Sequence, residues 1–414
     1  MHDIVIAGCG IAGAVAGLTA LKNVDTCIVE KVERDSIGKK ICGELMTQKA
    51  LSFLREEFDI SVPYYPLKGL AVISSSGYTS HVEESLCTVD RLQLGQALAA
   101  RLIDTGASIV YGTVKGPVGK SCVQGVKTKD SVYHSKVTID CSGVASVVRR
   151  AFMDEPTLLG VAYKENVILK EPFPEEYAML MFDKSVIPSG YMWCFPKSEY
   201  ELNVGAGGLQ WNIPLKKIVK NVVRNLAISV KKRDNTGFGV VPLGRPLSSL
   251  VYPGLLVCGD AACQVNPLTG EGIAPAVTAG YHAGTVASKA VQKGDSSLYS
   301  MWKYNCDCAQ AYGRAHASLV VARNFLVSLS DDELALFLTL VTGDDLGHLI
   351  KGRVHFPLMK KVKILFHNWK KLVFLYRLYN VLRRMNRIRA LYAGYPEGPD
   401  EFFSWKKNLD CTIE

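Results

Sequence analysis

The spacing of apolar and polar positions divides the chain into recognisable segments. Ile4 to Leu21 carries no charged residue. It opens on a continuous apolar run, as a strand buried on both faces does. Gly8, Gly10, Gly13 and Gly17 then interrupt it. Its length invites a membrane span or a signal peptide. However, it follows His2-Asp3 instead of a basic stretch, so the pattern predicts a buried strand, a glycine turn and a helix. With no leader pattern, the expected location is the cytoplasm.

Further along, residues 25–31 predict a short strand ending on Glu30, and Leu45 to Glu57 has helical periodicity. Two strands flank a turn at Ser76-Gly77. Residues 90–106 form an amphipathic helix with a glycine stop. Strands follow at 107–116 and 136–143, and residues 160–208 read mostly as strand. A buried strand at 254–260 precedes a helix from Gly272 to Val291, and the chain is helical from Asp331 onward. This order predicts a mixed α/β and α+β fold with a Rossmann-like dinucleotide-binding domain assembled from 1–60, 88–158 and 250–325. A β-rich substrate domain (61–87 and 159–249) is inserted into it, and a helical region (326–414) follows.

Composition changes this picture little. Of 414 residues, 48% are hydrophobic and 21% charged, which suits a folded chain with a sizeable core. The 12 cysteines show no CxxC pairs, and no clustered histidines accompany them, so no metal site is expected. Charge is informative only where it is uneven. Between Leu346 and Pro396 there are twelve Lys and Arg and no Asp or Glu, so the remainder carries −3 against a total of +9.

Gly8-x-Gly10-x-x-Gly13 follows a strand and opens a helix. The first glycine makes the turn, the second lets a pyrophosphate approach the backbone, and the third lets helix and strand pack closely. The helix start supplies free N–H groups and the positive end of a dipole. Glu30 ends the next strand, where a carboxylate accepts from ribose hydroxyls. Strand, helix and acid in this register predict a dinucleotide, FAD or NAD. Near the other end, Gly259-Asp260 follows a strand, and Pro267-x-x-Gly270-x-Gly272 opens a helix. This resembles the flavin-side motif of the hydroxylase-type flavoproteins, so FAD is the expected cofactor and a p-hydroxybenzoate hydroxylase-like fold is implied. In that motif the aspartate bonds a ribityl hydroxyl and the glycine-rich helix start faces the flavin. Residues 141–149 resemble the same superfamily's middle motif, except that Ser142-Gly143 stands where hydroxylases often carry Asp-Gly.

Tyr191-x-Trp193-x-Phe195-Pro196, eight residues, then Gly205-x-Gly207, resembles the signature of the geranylgeranyl reductase family. Residues 39–45 (KKICGEL) and the stretch ALYAGYPEGPDEFFSW resemble that family and its archaeal members, and the likeness covers essentially the whole chain. Flavin halogenases carry Trp-x-Trp-x-Ile-Pro instead. The resemblance implies reduction of isolated C=C bonds in prenyl chains, here those of archaeal di-ether lipids. It also implies flavin contacts at Ala12, Cys42, Gly43, Leu45, Arg91, Val114, Gly270, Gly272 and Ile273.

The residues themselves agree. On a strand, 191, 193 and 195 share one face, forming either plain core or an aromatic wall for a featureless apolar chain. Tyr191, Trp193, Phe195, Pro196, Gly205 and Gly207 are the candidate substrate contacts. An isolated alkene is not electrophilic. Protonation must therefore create tertiary-cation character, which aromatic faces stabilise, before hydride arrives. Cys42, Glu44 and Tyr191 are the candidate acids. NAD(P)H or a ferredoxin-like protein is the expected electron donor.

Residues 359–390 place Val362, Leu365/Phe366, Trp369, Leu372/Val373, Tyr376 and Tyr379 at helical spacing among Lys and Arg. This predicts either packed helices with basic faces or a helix lying on anionic lipid at the membrane's inner face. No nucleic-acid module is evident. A flavin monooxygenase and a non-catalytic flavoprotein carrier are the alternative readings. The first requires oxygen-dependent hydroxylation; the second requires flavin binding without product.

Overall fold

The computed structural model describes residues 1–353 and 369–413. Two sheets organise the chain. The first contains β1 (His2–Ala7), β2 (Thr26–Glu30), β6 (Ser108–Tyr111), β9 (Val132–Asp140), β15 (Val251–Tyr252) and β16 (Leu255–Val257), in the order β15-β16-β9-β1-β2-β6. The short β7 (Gly116–Pro117) and β8 (Gly125–Lys127) extend it from β9. The second contains β3 (Leu45–Thr47), β4 (Tyr64–Ser74), β5 (Thr79–Val89), β10 (Leu159–Leu169), β11 (Tyr177–Phe182), β12 (Gly190–Ser198), β13 (Glu201–Gly208) and β14 (Val230–Pro242). Their order is β14-β10-β13-β12-β11-β4-β5-β3.

β1 pairs in parallel with β2 and β9, so it is central and covered on both faces. That burial accounts for its unbroken apolar run: Ile4, Val5, Ile6 and Ala7 are wholly inaccessible. α1 (Ile11–Ala20) and α5 (Ile273–Lys293) pack on this sheet, as does α3 (Arg91–Asp104). α2 (Gln48–Phe58) is shorter than the periodicity predicts. Leu45–Thr47 pairs with β5 instead, and the Thr47 hydroxyl accepts from Ala50 N to start the helix.

The second sheet is antiparallel except between β4 and β11. Side chains alternate across it. Met192 and Cys194 of β12 join the core under α4 (Leu215–Asn225), whereas Trp193 and Phe195 face the helices Arg314–Ser328, Asp331–Leu340, Asp344–Ile350 and Trp369–Ala393. No helix among the described residues is long and apolar enough to cross a membrane.

α1 and α5 meet backbone to backbone. A Cβ at Gly280 would lie 2.5 Å from Ala12 O, and one at Gly284 the same distance from Ala16 O. Neither carbonyl is free to move, because each belongs to helix α1. Gly284→Val is therefore expected to lower the unfolding free energy by about 3 kcal/mol, the upper end of overpacking costs, as read from urea unfolding.

Candidate active site

A cavity of about 660 Å³ runs from the glycine turn, past the aromatic strand, to the helices beyond residue 310. Its volume falls within the usual range for ligand sites.

At one end, Gly8 takes φ +103°, and a Cβ there would sit 2.5 Å from Cys141 O. At Gly13 a Cβ would strike Gly8 O at 1.9 Å. Glu30 locks the turn: its Oε2 accepts from Cys9 N at 2.6 Å and its Oε1 from Val32 N at 3.0 Å. Of the three motif glycines, Gly10 is the one with open space where a Cβ would point, and it lines the cavity together with Ala12. Arg91 begins α3 and is buried, yet its Nη1 has no hydrogen-bond partner. Burial lowers its pKa, while nearby Cys42, Asp260 and Glu44 oppose this. An unpartnered buried guanidinium beside an open helix start fits the pyrophosphate of a dinucleotide. Gly8, Gly13, Glu30 and Val114 lie outside the cavity wall; Val114 belongs to the first core.

Cys42, Gly43, Glu44 and Leu45 form the next part of the wall. Glu44 is buried at φ +64°, a conformation uncommon outside glycine. Its carboxylate accepts from Lys197 Nζ at 2.9 Å, Asn203 Nδ2 at 3.1 Å and Arg91 N at 3.3 Å, with Lys164 Nζ at 3.9 Å. Burial lowers the Lys164 pKa. Burial also pulls Lys197 down, but Glu44, Glu201 and Asp90 outweigh it and raise the pKa. Cys42 Sγ accepts from Glu44 N at 3.3 Å, and Cys42 O accepts from Asn203 at 2.9 Å.

The aromatic run faces this loop. Trp193 and Phe195 stack at 6.1 Å, and Tyr191 follows at 6.1 Å from Trp193. Trp193 lies directly across the hairpin from Gly205, where a Cβ would come within 2.1 Å of its ring. Tyr191 is likewise opposite Gly207. The spacing of the signature is therefore the register of one hairpin. Trp193 Nε1 donates to Asn203 Oδ1 at 2.9 Å, and Thr88 Oγ1 to Pro196 O at 2.6 Å. Pro196 and Gly205 support the wall without lining it. Burial raises the Tyr191 phenol, which donates to Thr269 O.

Opposite stand Asp260, Gly270, Gly272 and Ile273. Asp260 Oδ2 pairs with Lys40 Nζ at 2.5 Å. Asn266 Oδ1 accepts from Leu268 N and Thr269 N and so shapes the loop before α5. Sequence reasoning passed over Glu271, between the two glycines. It lines the cavity with Oε1 out of solvent and without a partner. It also missed His316, another cavity-lining residue. Burial lowers its imidazole to about 3, and its Nδ1 has no partner. The far end is apolar, with Val72, Leu180, Leu319, Leu334, Phe337 and Leu346.

Residues 159–240 match the geranylgeranyl reductase catalytic domain. The chain is 26% identical over 444 aligned positions to a digeranylgeranylglycerophospholipid reductase of Sulfolobus acidocaldarius, spanning 100% of this chain and 97% of that one. It is 28% identical to one of Methanosarcina acetivorans, over 81% of this chain and 87% of the relative. In fold it resembles a geranylgeranyl bacteriochlorophyll reductase-like protein from Thermoplasma acidophilum, with a TM-score of 0.75, 23% identity, and coverage of 92% of this chain and 99% of that one. A flavin-dependent brominase gives a TM-score of 0.63 at 17% identity, covering 85% and 93% of the two chains. The expected flavoprotein fold and the likeness to the geranylgeranyl reductases are both borne out.

Two substitutions test this geometry. Arg91→Met removes a buried unpaired cation. It is expected to stabilise the cofactor-free chain by about 1–3 kcal/mol while weakening dinucleotide binding at least about tenfold, read by thermal unfolding with and without cofactor. Gly205→Ala is expected to destabilise by about 1–3 kcal/mol and to shift tryptophan emission, because the Trp193 ring must leave its place.

Proposed function

We propose that this chain is an FAD-dependent oxidoreductase that saturates isolated C=C bonds in the geranylgeranyl chains of archaeal di-ether membrane lipids or their precursors. The observation that carries this reading is the continuity of the cavity. A dinucleotide cradle, an aromatic wall and a long apolar recess share one space. A prenyl chain offers no hydrogen-bonding groups, so only shape and apolar surface select it.

Gly10, the start of α1 and Arg91 hold the pyrophosphate of FAD in this reading. Glu30 and Val114 serve the adenosine side, and Asp260 serves the ribityl chain. Cys42, Gly43 and Leu45 flank the flavin, and Gly270, Gly272 and Ile273 present the helix start to it. When bound, reduced FAD supplies hydride. The protein's task is to exclude water, to present one alkene and to tolerate positive charge on it. The faces of Tyr191 and Trp193 stabilise that charge. Glu44 anchors the wall, because its oxygens accept from lysine and amide donors. Cys42 contributes a thiol at the cavity surface.

Electrons come from NAD(P)H or a ferredoxin-like protein, and the protein works in the cytoplasm, peripherally on the inner face of the membrane. Leu372, Val373, Tyr376 and Tyr379 of the helix Trp369–Ala393 are exposed, with Arg383 and Arg387 exposed further along. That mixture suits an anionic lipid surface. Val362, Leu365 and Phe366 of the same basic segment lie outside the described residues, and the side chain of Trp369 does too.

Anaerobic incubation of the reduced FAD-loaded protein with a digeranylgeranylglyceryl phospholipid is expected to give products each heavier by two hydrogens, resolved by mass spectrometry. Unchanged lipid, with FAD bound and fully reduced, would overturn the reading in favour of a monooxygenase or carrier.

A further inference from the structure

We propose that Glu271 is the catalytic acid of this site, its carboxyl group delivering a proton to the substrate alkene. The inference rests on the reductase reading and adds to it the one group that reading lacks.

Position is the first reason. Glu271 lies between Gly270 and Gly272, in the loop that opens α5, and the residue lines the cavity. Its main chain is fixed: Glu271 N donates to Thr269 Oγ1 at 3.3 Å, and Glu271 O accepts from Asn266 N at 2.8 Å. The same loop receives the Tyr191 hydroxyl at Thr269 O. Acid and aromatic wall are therefore held on one short segment.

The state of its carboxyl is the second reason. Oε1 has neither solvent contact nor a hydrogen-bond partner. A carboxylate so placed would be a desolvated charge that only the Ala274 N–H offsets. Burial pushes the carboxyl up to about 7; the nearby Glu84 adds to this, and the Ala274 N–H opposes it. The lysines at this part of the cavity are already paired, Lys351 with Glu84 and Lys40 with Asp260. Glu271 thus keeps a proton into the neutral range, where a general acid is most effective.

Two of the three other candidates are engaged otherwise. Glu44 accepts from Lys197, Asn203 and Arg91. The Tyr191 phenol is raised by burial and donates to a backbone carbonyl.

The step balances. The Glu271 O–H bond breaks as a C–H bond forms at the less substituted alkene carbon. The adjacent tertiary carbon, left electron-poor, takes the hydride that reduced FAD supplies. The alkene gains two hydrogens and two electrons, FAD is oxidised, and the carboxylate regains its proton from water.

The test compares wild type, Glu271→Gln and Glu271→Asp as full-length, FAD-loaded chains. In wild type, infrared difference spectra should show a protonated carboxyl band titrating near pH 7, absent from Glu271→Gln. Glu271→Gln should bind FAD and be chemically reduced as wild type is. Its single-turnover alkene reduction should fall by at least about 100-fold. The wild-type rate should decline as pH rises through about 7, with Glu271→Asp recovering part of the rate and Glu271→Gln losing that dependence. Wild-type-like turnover by Glu271→Gln, or the same infrared band in it, overturns the proposal alone. Loss of FAD binding in both variants makes Glu271 a structural part of the loop and also overturns it. Absence of lipid reduction by wild type defeats the reductase reading itself.

Discussion

The buried carboxylate of Glu44 is the interaction on which the site depends. Taking a carboxylate out of water is costly unless it is paired and hydrogen-bonded. Here four elements supply the compensation: Lys164 from β10, Lys197 from β12, Asn203 from β13 and the first N–H of α3. Each partner is therefore fixed relative to the Cys42–Leu45 stretch. The left-handed backbone at Glu44 is strained for a non-glycine residue, and it persists because its side chain is held from several sides. The same anchor joins Arg91, near the glycine-turn end of the cavity, to the strand that carries its aromatic wall.

The aromatic wall follows from hairpin register. Because β12 and β13 pair directly, the residues opposite Tyr191 and Trp193 must be small for the rings to lie over the neighbouring strand. Gly205 provides that room, and Gly43 does so from the facing loop, where a Cβ would approach Phe195 to 3.1 Å. Asn203 completes the arrangement by joining the Trp193 indole to Cys42 O and Glu44. Aromatics and buried polar groups are one construction: the polar layer beneath sets the angle of the rings above.

Much of this was legible in the sequence, because the relevant constraints are local. A charge-free strand, glycines at fixed offsets and an acid ending the next strand specify the dinucleotide cradle within 30 residues. Alternation at 191, 193 and 195 gave the correct shared face. Less legible were the consequences of distant packing. Glu30 was expected at a ribose, and the structure adds that it braces the turn. Leu45–Thr47 carries helical periodicity but finds a strand partner in β5, forty residues on. Glu271 stands between the two glycines of the Gly-x-Gly pair, where the motif specifies no residue type, so nothing local marks it; its burial appears only once the chain has folded around it. In the helix Trp369–Ala393, Phe374, Leu378 and Leu382 take the buried face and leave Tyr376 and Tyr379 outside, a division that amphipathic spacing among mixed aromatic and basic residues does not decide.

The contact of α1 with α5 has a mechanical consequence. With Gly280 and Gly284 seated on the carbonyls of Ala12 and Ala16, the two helices behave as a single girder whose starts, at Ile11 and Ile273, line one cavity at fixed separation. Such a frame resists sliding of one helix along the other, so whatever the cavity takes in must fit the spacing it already has.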